Sequence, residues 1–527
     1  MEIWGLIAQG ANEILSLETL WWMIIGVAIG TIAGILPGFA AGNVCALLMP
    51  LSLGLSTTNA LVFMGAIYSG SGIGGAIPGI LFNVPTSAQG AVTALDGYQM
   101  CRQGKADIAL GIALAGSAIG TVVSTIISIF AVKPMAQFSL SFGPAEMFCL
   151  ALAGVAIISS VMGDDPKKGL LSAAFGFLVA AMPADPYHAM PRATFGFLEL
   201  YDSIPLVPAL VGVFAFPSLL ALSKEEYIID ISTGNVDFSE VGKFRRLFQG
   251  AIETIKRPIQ VGIASVIGTV IGIVPGTGAS IATFVSYGRA VSMAKDPSEF
   301  GKGSIDGVIA AETADNGVAA GAMIPAFALG IPGSATTAIM LSVVILHGIV
   351  PGPNVITHHA PMVYGFFLSL LVSGLLLFPV GVVFCKMFSK LTVIKSSVIV
   401  PVLLAVCLVG AYASRQFMFD MYLMMVFGVI GILMSNNKFP PIPFLFGIVL
   451  GPIAERSFIQ SISISRFTYG IFFDSVICKV LWVIIVFMIA LPWTTKLYRK
   501  IRPPKKAGVQ IVKERIAEEA EEGSEEE

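Results

Sequence analysis

Long apolar runs, separated by short polar breaks, follow one another along almost the whole chain. They fall at 20–36, 42–54, 59–95, 108–131, 145–162, 169–183 and 203–222. After a polar, charged stretch from Ser223 to Arg257, they resume at 258–274, 279–294, 306–346, 361–385, 397–412, 420–436, 440–454 and 470–492. The runs are too continuous for the alternating strands of a transmembrane barrel, whereas a spanning helix needs about 20 apolar residues. The pattern predicts an all-α polytopic membrane protein. Several runs are too short for a full crossing, and 59–95 and 306–346 are long but interrupted by Gly and Pro, which predicts broken helices or re-entrant hairpins near the bilayer midplane. The expected division is a first repeat at 1–222, a linker at 223–257, a second repeat at 258–469, a C-terminal transmembrane helix at 470–497 and a charged tail at 498–527.

The word repeat is justified by the residues. Gly30-Thr31-Ile32-Ala33-Gly34-Ile35-Leu36-Pro37-Gly38 returns as Gly268-Thr269-Val270-Ile271-Gly272-Ile273-Val274-Pro275-Gly276. Gly75-Ala76-Ile77-Pro78 with Pro85-Thr86-Ser87-Ala88 is answered by Gly321-Ala322-Met323-Ile324-Pro325 with Pro332-Gly333-Ser334-Ala335. Pro208 to Gly212 with Pro217 recurs as Pro443 to Gly447 with Pro452. Paired hydrophobic segments interrupted by Gly and Pro at corresponding places point to the central site of a secondary transporter.

Composition narrows the class. Only 12% of the 527 residues are charged, against roughly 25% in soluble domains. The formal net charge of −2 and the absence of a basic, aromatic-interleaved stripe give no sign of nucleic-acid binding. The six Cys, scattered without C-x-x-C spacing, suit packing in apolar surroundings. No Walker-type loop or haem-ligating His pair is present, so no enzyme activity or cofactor is expected, and the start of the chain does not read as a cleavable signal peptide. Lys and Arg set the orientation. The stretch holding Lys224, Lys243, Arg245, Arg246, Lys256 and Arg257 and the tail after Trp493 are expected in the cytoplasm, with the N-terminus and the loops 184–202 and 347–360 outside. Equivalent loops then fall on opposite sides, which makes the repeats inverted in topology.

Candidate chemistry collects at the breaks. Proline removes a backbone donor, disfavours helix in the residue before it and opens a new helix well. A break at Asn83, Pro85, Thr86 and Ser87, matched by Pro332, Gly333, Ser334, Thr336 and Thr337, would expose free N–H groups, the positive end of a half-helix and hydroxyl donors, which together suit an anionic substrate. Close helix packing is the alternative use of such Gly and Pro residues. At the other pair of breaks, Gly38 with Asn43 and Gly276 with Thr277 and Ser280 offer oxygens for a hard cation such as Na⁺. Intramembrane carboxylates are informative because they are rare. Glu312 and Asp315, one helical turn apart and followed by Asn316, are candidates to hold a coupling cation, carry a proton or pair with a cation such as Arg289. Asp96, Arg102 and Lys105 read as solvated loop residues.

Gly34 to Gly38, the run Ser71-Gly72-Ile73-Gly74-Gly75-Ala76-Ile77-Pro78-Gly79, Asn83 to Thr86, Asp96-Gly97-Tyr98, Glu312-Thr313-Ala314-Asp315-Asn316, Gly330 to Ser334 and His347 to Pro353 resemble the large membrane subunit of the bacterial tripartite tricarboxylate transporter family. The likeness covers roughly 15–495, with Gln99 after Tyr98 where proline is common in the family. It implies an inner-membrane importer of citrate or other tri- and dicarboxylates, driven by an Na⁺ or H⁺ gradient. It also implies two partners, a small membrane subunit and a periplasmic solute-binding protein. A carboxylate transporter or channel that works without a binding protein is the alternative.

Overall fold

The computed structural model describes residues 3–36, 40–83, 86–161, 165–182, 192–201, 204–224, 243–275, 278–391 and 396–501. Outside them lie Pro37-Gly38, Val84-Pro85 and Gly276-Thr277, residues 225–242 of the linker expected at 223–257, residues 184–191 and 202 of the loop 184–202, and the tail beyond 501.

Helices make up the described chain, with no strand among the described residues. The first half runs α1 (Ile3–Ile14), α2 (Leu17–Ile35), α3 (Ala41–Ser52), α4 (Thr57–Phe82), α5 (Ala88–Arg102), α6 (Ala106–Ser139), α7 (Pro144–Val161) and α8 (Pro166–Ala180). It closes with α9 (Leu206–Leu210), which passes through a π turn into α10 (Phe216–Leu222). The second half begins with α11 (Phe244–Ile255), α12 (Pro258–Ile273), α13 (Gly278–Met293), α14 (Ile305–Leu329) and α15 (Ala335–Leu346). After the short α16 (Pro353–His358) come α17 (Ala360–Leu391), α18 (Ser396–Arg415), α19 (Met418–Asn436) and α20 (Pro441–Ile464), then α21 (Ile471–Asp474) and α22 (Val476–Ile501).

Seven of these helices, α2, α4, α6, α17, α18, α19 and α20, contain stretches long and apolar enough to cross a membrane. The chain is therefore a multi-pass membrane protein. The long runs 59–95 and 306–346 each resolve into two helices, α4 with α5 and α14 with α15, separated by a short break. α14 is buried from Gly307 to Leu329. A helix enclosed on every side belongs at the centre of the assembly, and α4, likewise almost wholly buried, lies against it.

Small residues explain how the centre closes. Gly26, Gly30 and Gly34 of α2 meet Ala66, Gly70 and Gly74 of α4 so closely that a methyl group on Gly34 or Gly74 would strike the opposing backbone. In the second half Gly268 and Gly272 of α12 meet Gly317 and Ala322 of α14 in the same way. The described part of the repeated glycine strings is thus used for helix crossing.

The halves are interlocked. α6 packs on α14 and α17 on α4, and the 12-residue helices cross over as well, α1 onto α17 and α11 onto α6. Two outer bundles flank this centre. One joins α7, α8 and α22 with α20, the other α18 and α19 with α9 and α10. Each therefore takes helices from both halves.

Candidate functional site

The two breaks share one geometry. α4 ends at Asn83 (φ 56°, ψ 29°) and α14 at Gly330 (φ 72°, ψ 16°), both left-handed. Gly and Asn are the residues that adopt this conformation most readily, and it ends a helix by turning the chain away from its axis. The following helices start from extended serines, Ser87 (φ −151°, ψ 161°) and Ser334 (φ −151°, ψ 170°). The Ser87 hydroxyl accepts from Gly90 N–H at 3.2 Å and the Ser334 hydroxyl from Thr337 N–H at 3.2 Å. The Thr337 hydroxyl accepts from Ser334 N–H at 2.8 Å and completes a capping box.

Several of the expected ligands also hold the breaks in shape. Thr337 is fully buried and acts as a cap. Thr86 donates to the Gly34 carbonyl at 2.8 Å and fastens the first break to the end of α2. Gly333 does the corresponding job by close approach to Gly272 and Ala322. Asn83 turns the chain, and in the matching break Pro332 is buried. The Ser87 hydroxyl keeps a proton to donate, the Ser334 hydroxyl also contacts the hydroxyls of Thr337 and Tyr68, and Thr336 has no hydrogen-bond partner for its hydroxyl among the described residues. Pro85 lies outside the described residues.

Each break faces the other half. Gly42 at the start of α3 comes within 3.6 Å, by its missing methyl, of the Thr336 backbone nitrogen and hydroxyl. At the start of α13, Ser280 donates to Gln89 of α5 at 3.2 Å. Tyr68 of α4 reaches across to Ser334, 3.4 Å between hydroxyls. Asn43 turns instead to Ser218 of α10, donating at 2.8 Å. Gly38, Gly276 and Thr277 lie outside the described residues.

Glu312, Asp315 and Asn316 have separate surroundings. Glu312 accepts from Thr93 of α5 at 2.5 Å and from Ser117 of α6 at 2.9 Å. Asn316 donates to the Ser69 carbonyl at 2.9 Å and to Thr121 at 3.2 Å, which leaves its Oδ1 buried with no donor. Asp315 has no hydrogen-bond donor or cation at its carboxylate among the described residues. Its Oδ2 and the Asn316 Oδ1 both face Gly72 of α4. Two donor-free oxygens in one gap between the halves match the preference of a hard cation. Arg289 is occupied elsewhere, donating to Gln260 at 2.8 Å.

Asp96 corrects the expectation of a solvated loop carboxylate. It lies in α5, fully buried, and its Oδ1 accepts from the N–H groups of Gly301, Gly303 and Ser304 at 2.7–2.9 Å. Tyr287 donates to its Oδ2 at 2.7 Å. Arg102 and Lys105 are exposed as expected. Asp96 ties α5 of the first half to the α13–α14 loop of the second. On the opposite hairpin His347, at the end of α15, sets one ring nitrogen 3.2 Å from the Leu55 carbonyl in the α3–α4 loop.

Sequence reasoning missed Tyr68 and the hydroxyls of α6. Tyr68 stands ten residues before Pro78, as Asp315 stands ten before Pro325, so the repeat marks it. Ser117, Thr121, Ser124 and Ser128 recur at helical spacing on one buried face. That stripe was visible as a polar seam in an otherwise apolar run.

A family model described as the tripartite tricarboxylate transporter TctA family matches residues 20–446. An Agrobacterium vitis protein described as an uncharacterized 52.8 kDa protein in the TAR-I ttuC' 3' region is 32% identical over 468 residues, 88% of this chain and 91% of its own length. A second protein of that organism, from the TAR-II ttuC' 3' region, is 34% identical over 199 residues, 38% of this chain and 82% of its own. No solved structure matches.

Proposed function

The chain belongs to the tripartite tricarboxylate transporter TctA family, and we propose that it is the permease subunit that imports tricarboxylates or related organic acids. A periplasmic solute-binding protein delivers the substrate, and a small membrane subunit completes the system. The observation that carries this reading is the matched pair of serine-capped breaks. Each opens a helix whose first N–H groups and positive dipole end suit a carboxylate, and each meets the other half. The substrate sits between Thr86-Ser87 and Ser334 to Thr337, with Tyr68 and Thr336 adding hydroxyls and Asn83 and Gly333 shaping the turns.

The driving ion, Na⁺ or H⁺, binds at Asp315 and Asn316 beside Gly72, with Glu312 held nearby by Thr93 and Ser117. Support comes from the donor-free oxygens that share this gap. Gly72→Ala should push a methyl group into the gap and lower apparent affinity for the coupling cation by about tenfold or more, with the carboxylate constant less affected. Uptake measured against cation concentration checks this. An unchanged cation dependence would move the ion site elsewhere.

The protein lies in the inner membrane with its halves inverted, the N-terminus periplasmic and the basic stretch around α11 cytoplasmic. Support comes from the Lys and Arg distribution and from the matched order of α2 to α6 and of α12 to α15 with α17. Cysteines introduced at 187 and 240 should react with impermeant reagent from opposite sides, and reaction from the same side would refute the inversion.

Uptake of labelled carboxylates into proteoliposomes tests the function as a whole. The complex with both partners should transport under an ion gradient and the chain alone far less. Robust uptake by the chain alone, indifferent to a binding protein, would instead establish a carrier that works unaided.

The serines allow a sharper test. An Ala at a helix N-cap costs about 1 kcal/mol, whereas Gly costs only a few tenths. If Ser334 only caps α15, Ser334→Gly should transport almost normally. If it also donates to the substrate, Ser334→Ala and Ser334→Gly should raise the Michaelis constant alike, by about tenfold.

A further inference from the structure

Beside the start of α12 lies a cavity of ≈ 390 Å³, lined by the α11–α12 junction, α12, α13, the loop after it and the start of α14. Lys256, Arg257 and Arg289 line it, with one carboxylate, Asp306. Arg257 is committed, pairing with Asp306 at 3.0 Å and with Glu253 at 2.9 Å. Lys256 also pairs with Glu253, at 2.8 Å on the solvent side, and these two bases hold the Glu253 carboxyl below the usual carboxylate range. Among the described residues Arg289 pairs with no carboxylate, and it donates to the amide oxygen of Gln260 at 2.8 Å. That bond fixes the orientation of the amide and leaves Gln260 Nε2 buried as a donor with no acceptor. A buried donor without an acceptor costs stability until one arrives, and here it adjoins a guanidinium that meets no carboxylate among the described residues.

The surroundings identify the kind of anion. α11 has three faces: Leu247, Gly250, Ala251 and Thr254 are buried against the protein, and Arg245, Gln249 and Lys256 form a polar edge. Phe244, Phe248, Ile252 and Ile255 form an exposed apolar stripe. A helix divided in this way lies along a membrane surface with its apolar stripe in the acyl boundary. The cavity adjoins the end of α11 at Lys256, and the apolar side chains in its lining, Ile259 and Met293, are 77% and 70% exposed. We propose that this cavity holds the phosphate of an anionic phospholipid, with Arg289 and Gln260 Nε2 on its oxygens, Lys256 at its edge and acyl chains along Ile259 and Met293. Basic pockets between helix ends on a membrane face are suited to such headgroups. The site sits under the 300–304 loop that Asp96 grips, so its occupant also braces the α13–α14 connection. It rests on the chain being a membrane protein and is independent of the carboxylate reading.

Native mass spectrometry of the purified full chain titrated with phosphatidylglycerol or phosphatidylcholine tests the site. The wild type should retain phosphatidylglycerol about tenfold better. Arg289→Gln and Gln260→Leu should each cut that preference about fivefold to tenfold, and Lys479→Gln on α22 should leave it unchanged. Inorganic phosphate in millimolar excess should displace little lipid. Equal retention of the two lipids by the wild type, or an undiminished preference in both site variants, would overturn the proposal. Full displacement by phosphate would overturn the lipid as occupant in favour of a free anion. Should Arg289→Gln fail to insert, Gln260→Leu, which leaves every charge in place, carries the test alone.

Discussion

Asp315→Asn should abolish gradient-driven carboxylate uptake, lowering it by about a hundredfold or more, while membrane insertion and thermal stability stay close to wild type. The two expectations come from the same geometry. The Asp315 carboxylate receives no hydrogen bond and no protein cation among the described residues, so removing its charge breaks nothing that holds the fold. The cation proposed to bind there would lose its only charged ligand in the gap beside Gly72, and a contact to a charged group is worth roughly 1.5–3 kcal/mol, about tenfold to a hundredfold in affinity. Coupling multiplies the loss, because a carrier that cannot hold its ion cannot use the gradient. The measurement is uptake into proteoliposomes with an imposed cation gradient, alongside counterflow of substrate without one. Normal gradient-driven uptake in Asp315→Asn would remove Asp315 from the ion site.

The opposite signature is expected for Asp96. Asp96→Ala should destabilise the protein by about 3–5 kcal/mol, toward the lower end of the about 1–3 kcal/mol for each of the three backbone N–H groups it leaves without this acceptor, because two of those bonds are only partly buried; the Tyr287 hydroxyl loses the same acceptor. Asp96→Asn keeps an acceptor oxygen in the same place and should lose less. Thermal unfolding of the purified variants, compared with uptake per folded molecule, separates the two cases. If Asp96→Ala unfolded at the wild-type temperature, the clamp would carry no structural weight.

These two aspartates also show where the sequence was informative. The class of fold was legible because bilayer thickness imposes run lengths and low charge directly on the chain, and the hairpin breaks were legible because left-handed ends and caps need particular residues, Asn83 or Gly330 and then Ser87 or Ser334. Asp315 stood out because carboxylates are costly within spans. Asp96 was misread because its partners, Gly301 to Ser304, lie some two hundred residues away, and nothing local distinguishes a solvated carboxylate from one wrapped by a distant loop. The division of labour among the break hydroxyls was hidden for a related reason. Thr86, Ser87, Thr336 and Thr337 are alike in composition, and only the backbone path decides which of them caps, which fastens and which remains to bind. Tyr68 and the hydroxyl face of α6 were overlooked although both were periodic, the first with the repeat and the second with the helix.

The ties made by Asp96 and His347 bear on how the chain is made. Each belongs to one half and finds its partner in the other, and Ser117, Thr121 and Ser124 of α6 meet Glu312, Asn316 and the Gly317 carbonyl of α14 in the same way. During synthesis the first half enters the membrane with Asp96, Ser117 and Ser124 still lacking the partners that the α13–α14 loop and α14 supply, while Thr121 and Ser128 already bond to carbonyls within α6. The N-terminal half is then an assembly intermediate, a client for whatever shields polar helices in the bilayer. A gene cut between the halves should yield a working carrier only when both pieces are made together in one cell.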